Sequence, residues 1–525
     1  MTNTTLKKTT AAAVLLCATA IGAAPMIDTA HDRVQTTLDP GMERIGTLVP
    51  RSAREVGPSS IAVGCEMLPR GYGDFEAFKE YMPPLGVARV RLHAGWAKLE
   101  PQPGVWDFAW LDRQVDWLIA HGMEPLLETS YGNPIYPGAG GPSLSDGMPK
   151  GEVALAAWDR YVEKLATHYP QIKNWACWNE PNNTKSNTAA IIADNNIRTA
   201  RIIRRHIPDA KIGMLVLGWP DPPQKLTTGI LEIMKAENAF GLFHWAIYHD
   251  YSPNPDTCYG NVESWARLIH RYAPHLRIWN GESGATSQSH YSAPISSGTW
   301  NSELTQAKWD ARRLVGDLGH GYESLVFTMY DACYDNPERY CNKVPAYWVR
   351  TRPNRFMKWM GLVKCNDRLQ VTKVKPAYYT VQNIATLFDA TVVPAKLDIQ
   401  YLGDTVRSAI GFYTFRQKGT DAPLLALWNA SEIPSNENRV QTMRIRTAAG
   451  LFKDPVWIDL VTGAIYEVPA AFRTVERNGR ELWRIPAYDA PAVLTEKTVA
   501  GQAVGGGLQD AASRARVVGP ARDAP

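Results

Sequence analysis

A regular alternation between about residues 58 and 390 most constrains what this chain can fold into. Short apolar runs alternate there with stretches whose apolar residues recur at helical spacing. The runs are Ile61–Cys65, Ala88–Leu92, Pro125–Glu128, Ile172–Trp178, Ile212–Leu217, Phe243–His249, Leu276–Asn280 and Leu325–Tyr330. Runs of this kind are typical of buried parallel strands joined by helical crossovers. Eight such units predict an α/β fold, a closed (β/α)8 barrel over residues 58–390.

The pattern changes after residue 390. Pro376 opens the last predicted barrel helix, Ala377–Phe388. From residue 391 to 499, short alternating segments separated by Gly, Pro and Asn replace the helical spacing, and they predict a C-terminal β-sandwich. Residues 25–57 are polar and contain proline, which leaves two alternatives, a linker or an extra strand of that sandwich. Residues 500–525 are rich in Gly, Ala and Arg, and we expect them to be disordered.

The first residues predict export from the cytoplasm. Lys7 and Lys8 precede a short apolar stretch, Ala11–Ile21, and small residues follow, so residues 1–24 have the pattern of a cleaved signal peptide. Cys17 follows Leu16 rather than a small residue, which makes a lipid anchor the less expected outcome. No later segment is apolar enough to span a bilayer. The expected location is therefore secreted or periplasmic, without membrane insertion after signal removal.

Charge and cysteine content exclude some classes of partner. The net charge is +4, with 21% charged residues and no long Lys/Arg run, so we expect no nucleic-acid binding. Cys333 and Cys341 lie close together in a predicted loop and are the expected disulfide pair, whereas Cys177 is expected to be a buried thiol. The sequence contains neither a CxxC pair nor an HExxH motif, so neither a metal nor an organic cofactor is predicted. The oligomeric state stays open.

Two short motifs carry the chemistry. Trp178–Pro181 (WNEP) ends the fourth predicted strand, and Trp279–Gly284 (WNGESG) ends the seventh. Ligands of a (β/α)8 barrel bind at the C-terminal ends of its strands, so the topology should bring Glu180 and Glu282 together. Two such carboxylates can cleave a glycosidic bond, because one protonates the leaving oxygen while the other, ionised, attacks the sugar.

Polar and aromatic side chains accompany the glutamates at the other predicted strand ends. They are Glu66, Arg91, His93, Tyr131, Asn133, Asn179, Trp219, His249, Tyr251, Tyr330 and Asp331. Such residues would close a barrel poorly but suit a polyhydroxylated ligand, so a carbohydrate is the expected partner. Arg91 has a structural alternative, as an ion-pair partner inside the barrel. His93 and Asn133 either contact the substrate or support residues that do.

At these residues the chain resembles the retaining glycoside hydrolases of clan A, and family 39-type enzymes with a trailing β-sandwich are nearest overall. The resemblance covers the barrel, about two thirds of the chain. It implies that Glu180, in the Asn-Glu pair of strand four, is the acid/base and that Glu282 is the nucleophile. Arg91 corresponds to the strand-two arginine of the clan, and His249 and Tyr251 correspond to a His-x-Tyr motif that ends strand six.

The surroundings expected for the two glutamates agree with those roles. Apolar neighbours and the charge of Glu282 would favour the protonated form of Glu180, while Arg91 and a hydroxyl such as that of Tyr251 would keep Glu282 ionised. Asn179 is expected to bind the 2-hydroxyl of the sugar. Carboxyl groups about 5–5.5 Å apart would give retention of anomeric configuration.

Alternatives stay open at this point. The enzyme could be an endo-acting glycanase with an open cleft rather than an exo-acting glycosidase with a pocket. From a different class, it could be a catalytically silent carbohydrate-binding protein on a hydrolase scaffold. The intact carboxylate pair favours catalysis, because binding alone does not require it. The sequence identifies neither the sugar nor the linkage.

Overall fold

The computed structural model describes residues 37–141, 147–220, 224–288, 302–334, 356–403 and 410–503. The predicted signal peptide, residues 1–24, lies outside the described residues, and so do Cys341 of the predicted disulfide and the tail beyond residue 503. Cys177 is a buried thiol, as predicted. In the described residues, no helix has both the length and the apolar character that a membrane crossing requires.

Eight parallel strands close into the predicted barrel. After β1 (Arg44–Thr47), which belongs to the C-terminal domain, the barrel strands follow in chain order. They are β2 (Ile61–Gly64), β3 (Arg89–His93), β4 (Glu124–Glu128), β5 (Asn174–Ala176), β6 (Lys211–Leu217), β7 (Trp245–His249), β8 (Arg277–Ser283) and β9 (Glu323–Val326). Val63 of β2 pairs with Val90 on one side and with Val326 on the other, which closes the barrel.

Helices surround the strands, with their apolar faces packed on the barrel. They are α1 (Ala53–Val56), α2 (Phe75–Phe78), α3 (Trp96–Leu99), α4 (Ala109–Ala120), α5 (Glu152–His168), α6 (Ala189–His206), α7 (Lys225–Ala236), α8 (Tyr259–Tyr272), α9 (Glu303–Gly319) and α10 (Pro376–Leu387). A last helix, α11 (Lys497–Ala503), belongs to the C-terminal domain. The Thr188 side chain caps α6 by accepting from the Ile191 amide. Proline occupies the first position of α10, where its missing N–H leaves no helical hydrogen bond unmade.

Two short antiparallel ribbons connect the last barrel strand to α10. In the first, β10 (Ala332–Tyr334) pairs with β11 (Phe356–Lys358). In the second, β12 (Val363–Cys365) pairs with β13 (Val371–Val374).

The C-terminal domain consists of two antiparallel sheets, as the alternating pattern predicts. Its strands are β14 (Val392–Pro394), β15 (Ile399–Tyr401), β16 (Ile410–Gln417), β17 (Pro423–Asn429), β18 (Gln441–Thr447), β19 (Pro455–Asp459), β20 (Ala464–Glu467), β21 (Arg473–Val475), β22 (Glu481–Ala487) and β23 (Ala492–Glu496). The larger sheet has the order β1-β20-β19-β23-β17-β16-β14, and the smaller has the order β15-β18-β22-β21.

Both ends of the described chain contribute to this domain. Strand β1 pairs with β20 at the edge of the larger sheet, so residues 44–47 form an extra strand, the second of the two alternatives considered for this segment. Helix α11 enters the segment expected to be disordered from residue 500 onward. That expectation is wrong for residues 500–503, because Val499 and Ala500 are buried and hold the helix on the domain.

Candidate active site

Glu180 is placed by an irregular backbone at the end of the fourth barrel strand. Regular β5 ends at Ala176, two residues earlier than predicted, and Trp178 and Glu180 both adopt left-handed backbone, with φ of 57° and 46°. Residues other than glycine rarely adopt this conformation, and such strained residues are concentrated at functional sites. The Glu180 amide donates to the Val216 carbonyl at 2.9 Å, which fixes the turn against the next strand.

That carbonyl is presented by a bulge in β6. Pairing with β7 shifts between Met214 and Leu217, and Leu215 and Val216 have left-handed φ of 72° and 45°. The Leu215 amide donates instead to the Asn196 side chain at 2.9 Å. A bulge re-aims the strand end, as is common beside active sites.

Glu282 is held at the end of β8 next to a glycine. A Cβ on Gly281 would lie 2.4 Å from the Ile247 Cγ2 atom, so only glycine fits there. The Gly281 carbonyl accepts from Arg91 Nη1 at 3.1 Å. The neighbouring pairing with β7 is irregular between Tyr248 and His249.

The two glutamates face one space, with His249 between them. The His249 Nδ1 atom lies 2.9 Å from Glu180 Oε1 and 3.6 Å from Glu282 Oε2. One carboxylate oxygen of each glutamate and one ring nitrogen of His249 all lie within 4.8 Å of one another. Asn183 donates to Glu180 Oε2 at 2.7 Å, and the Tyr251 hydroxyl donates to Glu282 Oε1. The structure therefore brings together four of the predicted residues, Glu180, Glu282, His249 and Tyr251.

Arg91 connects the nucleophile candidate to two further carboxylates. Its Nη1 lies 2.8 Å from Glu282 Oε2 and 3.2 Å from Glu66 Oε1. Its Nε and Nη2 donate to Glu128 Oε2 at 3.1 and 2.6 Å. Nη2 also donates to Asn179 Oδ1. Arg91 therefore forms the ion pairs considered for it inside the barrel, and one of them is with the candidate nucleophile.

Asn179 is oriented by this network. Its Oδ1 accepts from Arg91, and its Nδ2 donates to the Tyr131 hydroxyl at 2.7 Å. With both ends of the amide bound, the side chain is fixed next to Glu180 in a buried position.

The network sets the ionisation of its acids. Burial alone would raise the pKa of Glu282, but the charges of His249 and Arg91 and the Tyr251 hydrogen bond outweigh it and lower that pKa to about 2. Burial, with the charges of Glu282 and Glu128, raises the pKa of Glu66 to about 8, against the opposing effect of Arg91. At neutral pH, Glu282 is therefore an ionised carboxylate and Glu66 is a neutral acid.

His93 and Asn133 lie away from the glutamate pair. The His93 Nε2 atom is 3.1 Å from Glu128 Oε1, and burial lowers the pKa of His93 to about 4. The Asn133 amide donates to the Glu100 carbonyl at 2.8 Å and its oxygen accepts from the Ile135 amide at 3.3 Å. Of the two roles considered for each, these contacts are those of support for neighbouring residues.

Two residues absent from the predicted site contact it directly. Glu128 is the last residue of β4, and Asn183 follows the WNEP motif in the same turn. Burial is outweighed at Glu128 by Arg91 and His93, which hold its pKa below the ordinary value. One sequence pattern could have indicated Glu128. It is an acid at the end of an otherwise apolar predicted strand, and the preceding predicted strand ends in Arg-Leu-His.

Among the described residues, one group of side chains has ligand atoms close enough together to hold a cation. Glu180, His249 and Glu282 each offer one such atom, and these atoms lie within 4.8 Å of one another. The Arg91 guanidinium already neutralises Glu282 at 2.8 Å, and a divalent ion there would meet its positive charge. The donor set therefore fits an acid–base site better than a metal site, and the absence of a metal stays a prediction.

Part of the chain is similar in sequence to a known enzyme family. A family model described as beta-galactosidase (glycoside hydrolase family 42) matches residues 74–140. No curated protein matches the chain by sequence.

Solved structures match over most of the chain. A family 39 glycoside hydrolase from Bacteroides cellulosilyticus WH2 has 16% identity and a TM-score of 0.54, covering 85% of this chain and 82% of that one. A GH30 endoxylanase from Clostridium papyrosolvens C71 has 9% identity and a TM-score of 0.50, with 86% and 98% covered. The fold class is confirmed, and the matches support the clan A resemblance. The structural matches show a shared fold, and the family-model match over residues 74–140 is to a glycoside hydrolase family.

Proposed function

We propose that this protein is an exported retaining glycoside hydrolase that cleaves O-glycosidic bonds with Glu180 as general acid/base and Glu282 as nucleophile. The observation that carries the proposal is the geometry of the pair, two carboxylates from β5 and β8 that face one space with oxygens within 4.8 Å. The export signal, residues 1–24, is an expectation from the sequence and completes the proposal.

The contacts of each glutamate support its role. Glu282 is bound by Arg91 and Tyr251, and its lowered pKa of about 2 keeps it ionised and ready to attack. Glu180 has no arginine or lysine ion pair among the described residues; its contacts are Asn183 and His249. A carboxyl group without a strong cationic partner suits the proton donor.

The mechanism consists of two displacements. Glu282 attacks the anomeric carbon while the bond to the leaving oxygen breaks, and that oxygen takes the proton of Glu180. In the second step Glu180 takes a proton from water, the water oxygen attacks the anomeric carbon, and Glu282 leaves as carboxylate. Asn179, fixed by Arg91 and Tyr131, would bind the 2-hydroxyl as positive charge develops on the ring.

The spacing supports retention over inversion. Inverting enzymes need about 6.5–9.5 Å between their carboxyl groups to admit a water molecule, and retaining ones about 5–5.5 Å. One carboxylate oxygen of Glu180 and one of Glu282 lie within 4.8 Å of each other, a spacing that fits the shorter, retaining range.

Turnover by wild type and by Glu282→Ala tests the assignment. A panel of aryl glycosides and of plant and algal polysaccharides should be hydrolysed by the wild type. We expect Glu282→Ala to lose about 10³-fold or more in kcat. Glu237→Ala, which removes an exposed glutamate paired with Arg201, is the matched control and should keep full activity. Equal turnover by wild type and Glu282→Ala would exclude the mechanism, and sugar binding without any turnover would support a binding protein.

Stereochemistry tests the retaining step separately. Proton NMR of the first product should show the anomer of the substrate. In Glu180→Ala, an aryl glycoside with a good leaving group should still form the glycosyl-enzyme, and added azide should accelerate its release. A product of opposite anomeric configuration would contradict the role of Glu282 as nucleophile.

A further inference from the structure

One cation beside the glutamate pair has no role in the mechanism above. Lys358 ends β11, and its Nζ atom lies among three aromatic rings, 5.1 Å from the centroid of Phe327, 5.2 Å from that of Tyr334 and 6.0 Å from that of Tyr251. We call these four residues the Lys358 cage. Tyr251 is the residue whose hydroxyl binds Glu282, so the cage borders the site directly.

The ammonium of Lys358 has few partners for a half-buried charge. Among the described residues, it donates one hydrogen bond, to the Tyr334 hydroxyl at 3.4 Å. No carboxylate forms an ion pair with it within the part of the chain that the structure describes. Burial lowers the pKa of Lys358, but Tyr334 and the charge of Glu282 outweigh it and raise that pKa, so the side chain is a cation at neutral pH. A lysine ammonium can donate three hydrogen bonds, and two of them remain for a ligand.

A second cation extends the positive charge along the same wall. Tyr334 stacks on Tyr72 at 4.6 Å, and the Arg70 guanidinium lies 4.9 Å from the Tyr72 centroid and 5.1 Å from the Tyr131 centroid. The aromatic stack is therefore bordered by Lys358 on one side and Arg70 on the other. A site with one sign of charge on one wall attracts ligands of the opposite sign.

The positions of the strands around the barrel predict which part of a bound sugar would lie near the Lys358 cage. Asn179 follows β5, the fourth barrel strand, and Phe327 follows β9, the eighth, so the two lie on opposite sides of the barrel. In a pyranose ring, C5 lies opposite C2. A sugar whose 2-hydroxyl is bound by Asn179 therefore directs its C5 substituent towards Lys358.

We propose that the Lys358 cage binds an anionic group on C5 of the sugar cleaved by this site, either the carboxylate of a uronic acid or a sulfate ester at C6. The proposal rests on the proposed function, since it names the substrate class of that same site. A carboxylate or sulfate would supply the acceptor oxygens that the ammonium lacks, in a partly desolvated position where a charge-assisted hydrogen bond is strong.

Matched pairs of substrates test this assignment. The measured quantity is the ratio of kcat/KM for an anionic substrate to that for its neutral counterpart. The pairs are 4-nitrophenyl β-glucuronide with β-glucoside, β-galacturonide with β-galactoside, and a 6-sulfated glycoside with its parent. In wild type, this ratio should exceed about ten for at least one pair, since hydrogen bonds to charged groups are stronger than those between neutral groups. Whichever pair responds distinguishes carboxylate from sulfate.

The variants separate the cage from general effects on the fold. Lys358→Met should lower the ratio by about tenfold or more, mainly through KM, and Lys358→Arg should restore most of it. Lys364→Met is the matched control, because Lys364 also lies near an aromatic ring, 5.6 Å from the Trp359 centroid, but is 4.0 Å from Glu303. It should leave the ratio unchanged.

Two results would overturn the proposal. One is a wild-type preference for the neutral member of every pair, and the other is an equal loss on both members in Lys358→Met. If no glycoside is turned over at all, the proposed function is wrong, and calorimetry of sugar binding then tests the Lys358 cage separately. Free glucuronate or galacturonate should then bind wild type more tightly than the neutral sugar, and that difference should disappear in Lys358→Met.

Discussion

At the scale of single residues, Arg91 is the side chain on which the site depends most. It is buried and touches three carboxylates and the Asn179 amide, so it holds the nucleophile and orients the amide at once. Its planar fork allows these simultaneous contacts, which a lysine ammonium could not reproduce.

Arg91→Lys should therefore lower kcat/KM by about 10²-fold or more. Arg91 helps to lower the pKa of Glu282 to about 2, so its loss should also move the acidic limb of the pH profile to higher pH. Kinetics between acidic and neutral pH check both effects. Arg198→Lys, at a half-buried ion pair with Asp159 on the outer helices of the barrel, is the control and should change neither. An unmoved acidic limb would show that Arg91 does not set the ionisation of Glu282.

Glu66 offers a second test at this scale, on stability. Its pKa is raised from 4.5 to about 8 in the folded protein, so the folded state keeps a proton that the unfolded chain releases. The free energy of unfolding should consequently fall as the pH rises from about 4.5 through about 8, by a few kcal/mol.

Glu66→Gln should remove this part of the pH dependence. Thermal unfolding of the variant should equal that of wild type near pH 4.5 and exceed it by a few degrees, about 2–8 °C, near pH 8.5. Glu237→Gln on the surface should follow wild type throughout. Parallel curves for wild type and Glu66→Gln would mean that Glu66 is ionised in the folded protein.

Individual residues also show how far the site could be predicted from the sequence. Glu180, Glu282, His249 and Tyr251 were found because each lies at a strand end that periodicity reveals. Glu128 was not predicted, because an acid after an apolar run also fits the start of a helix. Its role becomes visible only from its ion pair with Arg91 on the neighbouring strand. Asn133 fits the same local pattern but binds loop backbone instead. Local sequence places a residue at the strand end, and the packing decides what it contacts.

At the scale of elements, irregular backbone rather than regular strand positions Glu180. The eight strands and the flanking helices were predictable from apolar spacing, but the β6 bulge was not. Leu215 and Val216 are ordinary strand formers, and their left-handed backbone depends on the Asn196 contact from α6. The early end of β5 has the same cause, because the Glu180 amide is bound to the bulged Val216 carbonyl.

Gly218→Ala tests this arrangement. A Cβ there would lie 2.9 Å from Asn183 Oδ1 and 3.2 Å from the Glu180 Cδ atom, so it should displace the proposed proton donor by a few tenths of an ångström. We expect about a tenfold loss of kcat/KM on glycosides with poor leaving groups and a smaller loss on 2,4-dinitrophenyl glycosides, which need little protonation. Gly241→Ala is the control, because its Cβ would meet nothing within 4 Å. An equal loss on both substrates would place the effect outside the acid step.

At the scale of the whole molecule, α9 joins the barrel to the sandwich. Arg312 is fully buried and donates to Asp256 Oδ2 at 2.7 Å on the barrel side and to the Glu432 carbonyl at 2.8 Å on the sandwich side. Lys308, one helical turn earlier, reaches Asp489 of the sandwich at 2.6 Å. The sequence predicted both domains, but these contacts depend on residues that look like the solvent face of a helix until the second domain covers them.

Arg312→Ala should consequently destabilise both domains together. It leaves Asp256 without its cation and removes the Arg312 hydrogen bond to the Glu432 carbonyl. Removal of one partner of a buried pair costs about 3–5 kcal/mol. We expect a single unfolding transition at a lower temperature, followed by circular dichroism and by loss of hydrolysis in parallel. At 25 °C the folded variant should retain its kcat/KM, because Arg312 contacts neither glutamate. Arg439→Ala, at the exposed pair with Glu437, should unfold like wild type. Two separate transitions in Arg312→Ala would show that the barrel can fold independently of the sandwich. The sandwich would then stabilise the barrel only through the contacts of this interface.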